Sequence, residues 1–344
     1  MVIEEIELPD PGPTQLLVKQ VASGVCHSQL HELHNPTPRP PMILGHESTG
    51  VVVAKGSAVS HVNDGDRVMV TWVPRAPSEG APAPQAAELA YGGKPIAYGA
   101  PAWTGVYTWS ESVVVDEQFV VRLGDENTKT PMDVTAIIGC AVMTGCGAVL
   151  NSAGVRANNS VAVFGAGGVG LCVIQAAANA GASPIIAVDL TDEKIEFANR
   201  FGATAGVNGA KSNAVARIQE LAGGGVDFAF DAIGVASTME QILMAARPGQ
   251  IGVRDGGTAV LVGVPHGDPP SIPMRHLFGG KVYRGAPGGS SRPDRDFPIY
   301  LRWLQEGRLP LAELVTQRYR LDQINDACSA LERGEIAGRA IIEF

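Results

Sequence analysis

The chain has 344 residues, a formal net charge of −9 and 45% apolar residues, enough to fill two domain cores and too many for intrinsic disorder. The acidic balance, with no basic run, argues against nucleic acid as a partner. No apolar stretch reaches the roughly 18 residues of a membrane span; the most apolar one, from Val161 to Ile174, has 14 residues and four glycines.

The opening MVIEEIELPD has acids where a secretory signal carries basic residues. Up to about residue 150, short β-like runs alternate with proline-rich loops. Val18 to Ala22, Gly50 to Val53, Arg67 to Val70 and Ser112 to Val121 read as strands bounded by Gly, Pro and Asp. NPTPRPP (35–41) and PRAPSEGAPAP (74–84) read as loops, because proline removes a ladder donor. From about 155 to 285 apolar runs of strand length alternate with helical stretches: VAVF, IIAVD, VDFAFD, TAVLVG and KVYRG. That alternation predicts a parallel sheet covered by helices on both faces. The last region, from 290, reads as helical until RAIIEF, a short strand, and is expected to return to the first domain. Five cysteines in so long a chain are too few for a disulfide framework, so a reducing, cytoplasmic setting is expected.

VAVFGAGGVG places Gly165, Gly167 and Gly170 as G-x-G-x-x-G directly after a strand and at a helix start, and Asp189 ends the next strand. This context makes a weak pattern a dinucleotide-binding signature. Gly165 permits the tight turn, Gly167 lets backbone approach a pyrophosphate, and Gly170 lets helix and strand pack closely; the helix N-terminus offers N–H groups to the phosphates. Asp189 suits the ribose hydroxyls of NAD and would repel a 2′-phosphate, with no arginine in LTDEK to compensate. NAD is therefore expected rather than NADP. A turn that only packs, or one that holds a flavin, are the alternatives.

Cys26 in GVCHSQLH, His46 and Glu47 in LGHESTG, and Cys140 in IIGCAVMTG are each weak signals, since a lone cysteine or histidine is commonly structural. Together, two thiolates and an imidazole suit a tetrahedral zinc with one open position. At this point the chain resembles the zinc-dependent alcohol dehydrogenases of the medium-chain dehydrogenase/reductase superfamily, through VCHSQ, GHE, GDRV, GKPI, GCAVMTG, the glycine turn, VDFAFDAIG, LVGVP and GRAIIEF.

The resemblance implies a Rossmann doubly wound parallel sheet (153–286) plus a discontinuous, β-rich, GroES-like catalytic domain (1–152 and 287–344). It implies Cys26, His46 and Cys140 as zinc ligands, with Glu47 beside the metal as a possible transient ligand. Ser28 takes the hydroxyl position next to the substrate oxygen, and His31 the outer end of a proton relay. His27 and Arg339 match basic positions at the pyrophosphate, and Thr144 falls beside the nicotinamide. Val262 to Val264 and Ala286 match the segment holding the carboxamide, and Lys194 is a candidate for the adenosine ribose. Gly168, Val169 and Ile233 complete the expected cofactor set. Alcohol oxidation is served by such an arrangement because zinc can lower the pKa of a bound hydroxyl from about 16 to about 7, worth roughly 12 kcal/mol. A histidine, with its pKa near 6.5, suits the final proton step.

Three departures stand out. Gln29 occupies the position where the family usually has an aspartate accepting from the zinc histidine, so altered zinc basicity is expected unless another segment supplies an acceptor. No cysteine lies between Cys26 and Cys140, so the four-cysteine structural zinc of many members has no ligands here; one zinc per chain follows, and the 74–105 segment is expected to be held by packing alone. The chain also begins late, without the strand that usually pairs with IEEIEL. By family position Trp72 and Trp109 would line the alcohol pocket and favour an apolar or aromatic substrate; two ordinary half-buried tryptophans are the alternative. The expected activity is NAD-linked oxidation of a primary or secondary alcohol. An aldehyde or ketone reductase, a polyol dehydrogenase and a non-catalytic cofactor-binding scaffold are the alternatives, and a homodimer or homotetramer is the expected assembly.

Overall fold

In the computed structural model, which describes every residue except 36, 38, 39, 100 and 125–128, the chain forms two compact units. One comprises Met1–Cys140 and Arg292–Phe344, the other Ala141–Ser291. The loop expected at 35–41 falls partly on 36, 38 and 39, which lie outside the described residues.

The first unit is built on a seven-stranded sheet. Its strands run in the order Val315–Arg320, Arg339–Glu343, Gln15–Val25, Ser48–Lys55, Arg67–Val70 and Val120–Arg122, with Ser112–Asp116 also pairing with Gln15–Val25. Alternation along Gln15–Val25 turns Leu16 and Val18 into a core with Val52, Val68, Val70, Val113, Val115 and Phe119. The expected single strand from Ser112 to Val121 is broken by a 3₁₀ turn at Glu117–Phe119. The Asp116 carboxylate causes the break: it accepts from the backbone N–H of Gln118 at 3.0 Å and of Gln85 at 2.9 Å, and from Thr14 Oγ1 at 3.0 Å. The chain then leaves the Gln15–Val25 strand and pairs with Arg67–Val70 instead.

The 74–105 segment is held by more than packing. Ala90–Tyr91 pairs with Lys94–Pro95, and Ala97–Tyr98 pairs with Met42–Ile43. Ala87 and Leu89 enter the core, and Gln15 Nε2 donates to the Gln85 carbonyl at 3.0 Å. The region after residue 290 is not helical throughout. The helix Pro293–Gln305 has proline in its first turn, and Gly307, at φ +70°, lies just beyond its end. A strand, Val315–Arg320, then runs parallel to Arg339–Glu343. VTQRYR alternates exposed and half-buried side chains at the sheet edge, a period of two with little apolar content to mark it.

The second unit is a six-stranded, all-parallel sheet in the order Ala205–Asn208, Ile185–Asp189, Val161–Phe164, Phe228–Asp231, Thr258–Leu261 and Val282–Gly285. All four residues of the central strand Val161–Phe164 are buried, as expected where helices cover both faces. Its two neighbours are reached by crossovers in opposite directions, which makes its carboxyl end the switch point where such sheets bind ligands.

Residues 141–152 and 287–291 pack with this unit rather than with the first, where the sequence placed them. A Cβ at Gly145 would lie 2.5 Å from Cys172 Cβ on the helix Gly168–Asn179, and Ser291 Oγ donates to the Met143 carbonyl at 2.8 Å. Among the described residues no single helix is long and apolar enough to cross a membrane.

Candidate active site

The ligand atoms of Cys26, His46, Glu47 and Cys140 all lie within 4.8 Å of one another, buried in the first unit. Each arrives on a different piece of the fold. Cys26 follows the strand Gln15–Val25, and the short helix Ser28–Leu33 begins just after it. His46 follows Gly45, whose φ of +92° and contact distance of 2.5 Å from a would-be Cβ to the Trp109 amide admit only glycine. Glu47 leads into Ser48–Lys55. Cys140 is drawn in because a Cβ at Gly139 would meet the Val70 carbonyl at 2.3 Å and because Thr71 Oγ1 donates to the Gly139 carbonyl at 2.7 Å.

Cys26 Sγ and Cys140 Sγ are 3.9 Å apart, and His46 Nε2 is 3.2 Å from Cys140 Sγ. Zinc bonds of about 2.3 Å to sulfur and 2.0–2.1 Å to nitrogen in a tetrahedron place two sulfurs roughly 3.7 Å apart and a sulfur and nitrogen roughly 3.5 Å apart. The donor set therefore fits a zinc ion. The Cys26 thiol is held well below the usual thiol range, first by a hydrogen bond from Cys140, with the charge of Arg339 adding and burial opposing. The same hydrogen bond and burial push Cys140 up.

Glu47 is fully buried and paired with Arg339, which is buried as well. Burial works against the Arg339 charge, and the Glu47 carboxylate together with Cys26 and Cys140 outweighs it. Arg339, expected at the pyrophosphate, is thus engaged with the carboxylate of the metal cluster. Sequence reasoning had no local signal for a pair 292 positions apart. Gly24 makes room for it, since a Cβ there would lie 2.4 Å from the Glu47 carboxyl carbon. Ser28 Oγ donates to Cys26 Sγ at 3.3 Å, and the rings of His27 and His31 meet edge to face at 5.8 Å. The two tryptophans differ. Trp109 is buried in a cluster with Val25, Leu30, Leu44 and Ile324, and its indole N–H donates to the Gly24 carbonyl at 3.0 Å. Trp72 Nε1 is buried without a hydrogen-bond partner among the described residues.

In the second unit the expected cofactor residues gather at the carboxyl ends of the parallel strands. Gly165 sits at φ +93°, a Cβ at Gly170 would lie 1.7 Å from the Gly165 carbonyl oxygen, and a Cβ at Gly167 would meet nothing within 4 Å. Gly168 opens the helix Gly168–Asn179, and Val169 and Gly170 follow in its first turn. Asp189 accepts from the Ala166 N–H at 2.9 Å, so the carboxylate flanks the turn. Ile233 and Val264 are brought together by Gly234, whose Cβ would lie 2.2 Å from the Val264 carbonyl oxygen; both side chains are exposed, at 39% and 56%. Val262 and Ala286 are buried at the ends of the next two strands, Lys194 lies half-buried on Asp192–Asn199, and the Thr144 hydroxyl is buried without a partner among the described residues. An open backbone approach, a carboxylate beside it, two exposed apolar side chains and an orphaned hydroxyl fit NAD.

Comparison with known proteins agrees. Residues 12–125 match the alcohol dehydrogenase GroES-like domain, and residues 168–306 match the zinc-binding dehydrogenase family. The chain is 34% identical to the NDMA-dependent alcohol dehydrogenase of Amycolatopsis methanolica, covering 97% of this chain and 93% of that one. It is 31% identical to the class-3 alcohol dehydrogenase of Drosophila melanogaster, covering 100% and 94%. Among solved structures, benzyl alcohol dehydrogenase from Acinetobacter calcoaceticus superposes with a TM-score of 0.82 at 29% identity, over 98% of this chain and 94% of that one. With both domains matched and whole-length relatives found, the chain belongs to the zinc-dependent alcohol dehydrogenases of the medium-chain dehydrogenase/reductase superfamily.

Proposed function

We propose that this alcohol-oxidising enzyme transfers hydride from a primary or secondary alcohol, apolar or aromatic, to NAD in preference to NADP, with one zinc ion per chain. The observation that carries this reading is the convergence of two thiols, an imidazole and a carboxylate within 4.8 Å. The bound groups supply Lewis-acid polarisation of the substrate oxygen and uptake of the hydride at the nicotinamide.

The chain's own residues do the rest. Cys26, His46 and Cys140 hold the ion, and Arg339 restrains Glu47, leaving it in reserve as a fourth donor. Ser28 Oγ accepts the proton of the substrate hydroxyl while giving up its own, and His31, at the outer end of the relay, releases a proton to solvent. Gly165, Gly167 and Gly170 present backbone N–H groups to the pyrophosphate, His27 is its candidate basic contact, and Asp189 accepts from the ribose hydroxyls. Thr144, Ile233, Val262, Val264 and Ala286 border the nicotinamide, and Lys194 the adenosine ribose. Trp72 offers a flat apolar wall to the substrate. The absence of cysteine between Cys26 and Cys140 supports a single metal.

Five unpaired cysteines suit a reducing cytoplasm. The edge strand Val282–Gly285, beside the exposed Phe278, suits self-association into a homodimer or homotetramer. Elemental analysis together with NADH absorbance across a panel of alcohols tests the reading. One zinc per chain and turnover of aromatic or aliphatic alcohols is the expected result; no zinc, or equal use of NADP, overturns it.

A further inference from the structure

The side chain behind His46 is set the wrong way for a metal-bound imidazole. Gln29 is buried beneath the cluster. Its Oε1 accepts from the Gly45 N–H at 2.8 Å, and its Nε2 lies 2.8 Å from His46 Nδ1. The Gly45 N–H can only donate, so it fixes the amide oxygen on its own side and turns the amide NH₂ toward the imidazole. Nδ1 must then accept, and a neutral imidazole that accepts through Nδ1 carries its proton on Nε2. That nitrogen is the one 3.2 Å from Cys140 Sγ, facing the other ligands. Holding a metal there needs the Nε2 lone pair, hence a proton on Nδ1.

With Oε1 turned to the Gly45 N–H and Nε2 to the imidazole, an Nδ1–H would face the amide NH₂ and not its oxygen. If the amide stays, two donors meet at the imidazole; if it rotates by half a turn, two donors meet at Gly45. We propose that Gln29 is a positioning residue that weakens the metal site by holding His46 in the tautomer that must be undone on binding. The inference rests on the zinc reading above. A glutamate at this position, of nearly the same shape but with two acceptor oxygens, would satisfy both donors.

The test withdraws zinc from the loaded full-length protein with a chromophoric chelator of known affinity, comparing the unmodified protein with Gln29→Glu. Zinc held about 10–100-fold more tightly by the variant is expected, the range typical of partners that orient a ligating histidine. Equal or weaker binding by a variant whose circular dichroism is unchanged overturns the proposal while leaving the zinc reading intact; failure of both proteins to hold zinc removes the zinc reading itself. A second readout needs no variant: ¹⁵N-resolved histidine spectra of the unmodified protein before and after chelation. Transfer of the His46 proton from Nδ1 in the loaded protein to Nε2 after zinc removal supports the proposal; a proton on Nδ1 in both states overturns it. A merely structural glutamine would move neither the affinity nor the tautomer.

Discussion

The metal cluster and the glycine turn use the same residue type for opposite purposes. At the turn, the missing Cβ of Gly167 leaves space with no atom of the described residues within 4 Å, open to a close approach by a ligand. Around the cluster, Gly24, Gly45 and Gly139 leave space that the protein itself fills, with the Glu47 carboxylate, the Trp109 backbone and the Val70 carbonyl. The turn is also local, its glycines and Asp189 falling within one strand, one helix and the next strand. The cluster joins Cys26 to Cys140 across 114 positions and Glu47 to Arg339 across 292. A phosphate-binding turn can be specified by adjacent residues; a tetrahedral donor set in this chain needs a finished sheet.

The contrast breaks most sharply at the cluster. Cys140→Ser or Cys26→Ser should remove a soft ligand from a closed donor set and cost several kcal/mol of transition-state stabilisation, at least about 1,000-fold in kcat. Melting of the second unit should change little, because neither thiol lies in it. Residual turnover close to that of the unmodified enzyme would show that the cluster is not the reacting centre. Gly170→Ala comes next, with the opposite signature. Its Cβ would sit 1.7 Å from the Gly165 carbonyl oxygen, which is backbone and cannot rotate away. A loss of about 3 kcal/mol in stability is expected, at the upper end for overpacking, with NAD affinity falling because the turn itself is displaced. Thermal melts and NAD titration read the two effects.

Asp189→Ala should weaken NAD by about 10–100-fold, the worth of hydrogen bonds to a charged group, and narrow the preference over NADP. The carboxylate also accepts from the Ala166 and Leu190 N–H groups, so Asp189→Asn is the sharper variant. It keeps an acceptor for the turn while removing the charge that repels a 2′-phosphate. Cofactor discrimination that survives in both variants would move the specificity away from this side chain.

The difference between the two sites also governs what could be read from residues alone. The parallel sheet was legible because its buried strands are continuous apolar runs, and the turn because its glycines have a fixed spacing. Cys26, His46 and Cys140 were legible as separate weak signals that together suit zinc, and the resemblance then assigned their roles. Three things had no signal. The strand Val315–Arg320 hid in a polar alternation. The break at Glu117–Phe119 depends on Asp116 accepting from Gln85, 31 positions away. The partner of Arg339 was set by the pairing of the first and last strands of the unit. The unit boundary moved from 152 to 140 for a similar reason, since the helix Ala141–Gly147 is buried along its whole length and only its fit at Cys172 reveals which core it joins.

The smallest effect separates the two tryptophans. Trp109 is packed among Val25, Leu30, Leu44 and Ile324, with its indole N–H spent on the Gly24 carbonyl. Trp109→Phe keeps most of the packing and deletes that bond, so about 1 kcal/mol of stability should be lost, with KM for aromatic alcohols nearly unchanged. Trp72 has a buried N–H with no partner among the described residues, so Trp72→Phe deletes no hydrogen bond to them and should cost no stability, or raise it slightly. If Trp72 borders the substrate, the same change shifts KM for bulky alcohols by severalfold. Measuring stability and KM on both variants gives a crossed pattern under this reading. A KM change in Trp109→Phe with none in Trp72→Phe would exchange the roles of the two residues, and with them the side of the metal cluster from which the alcohol approaches.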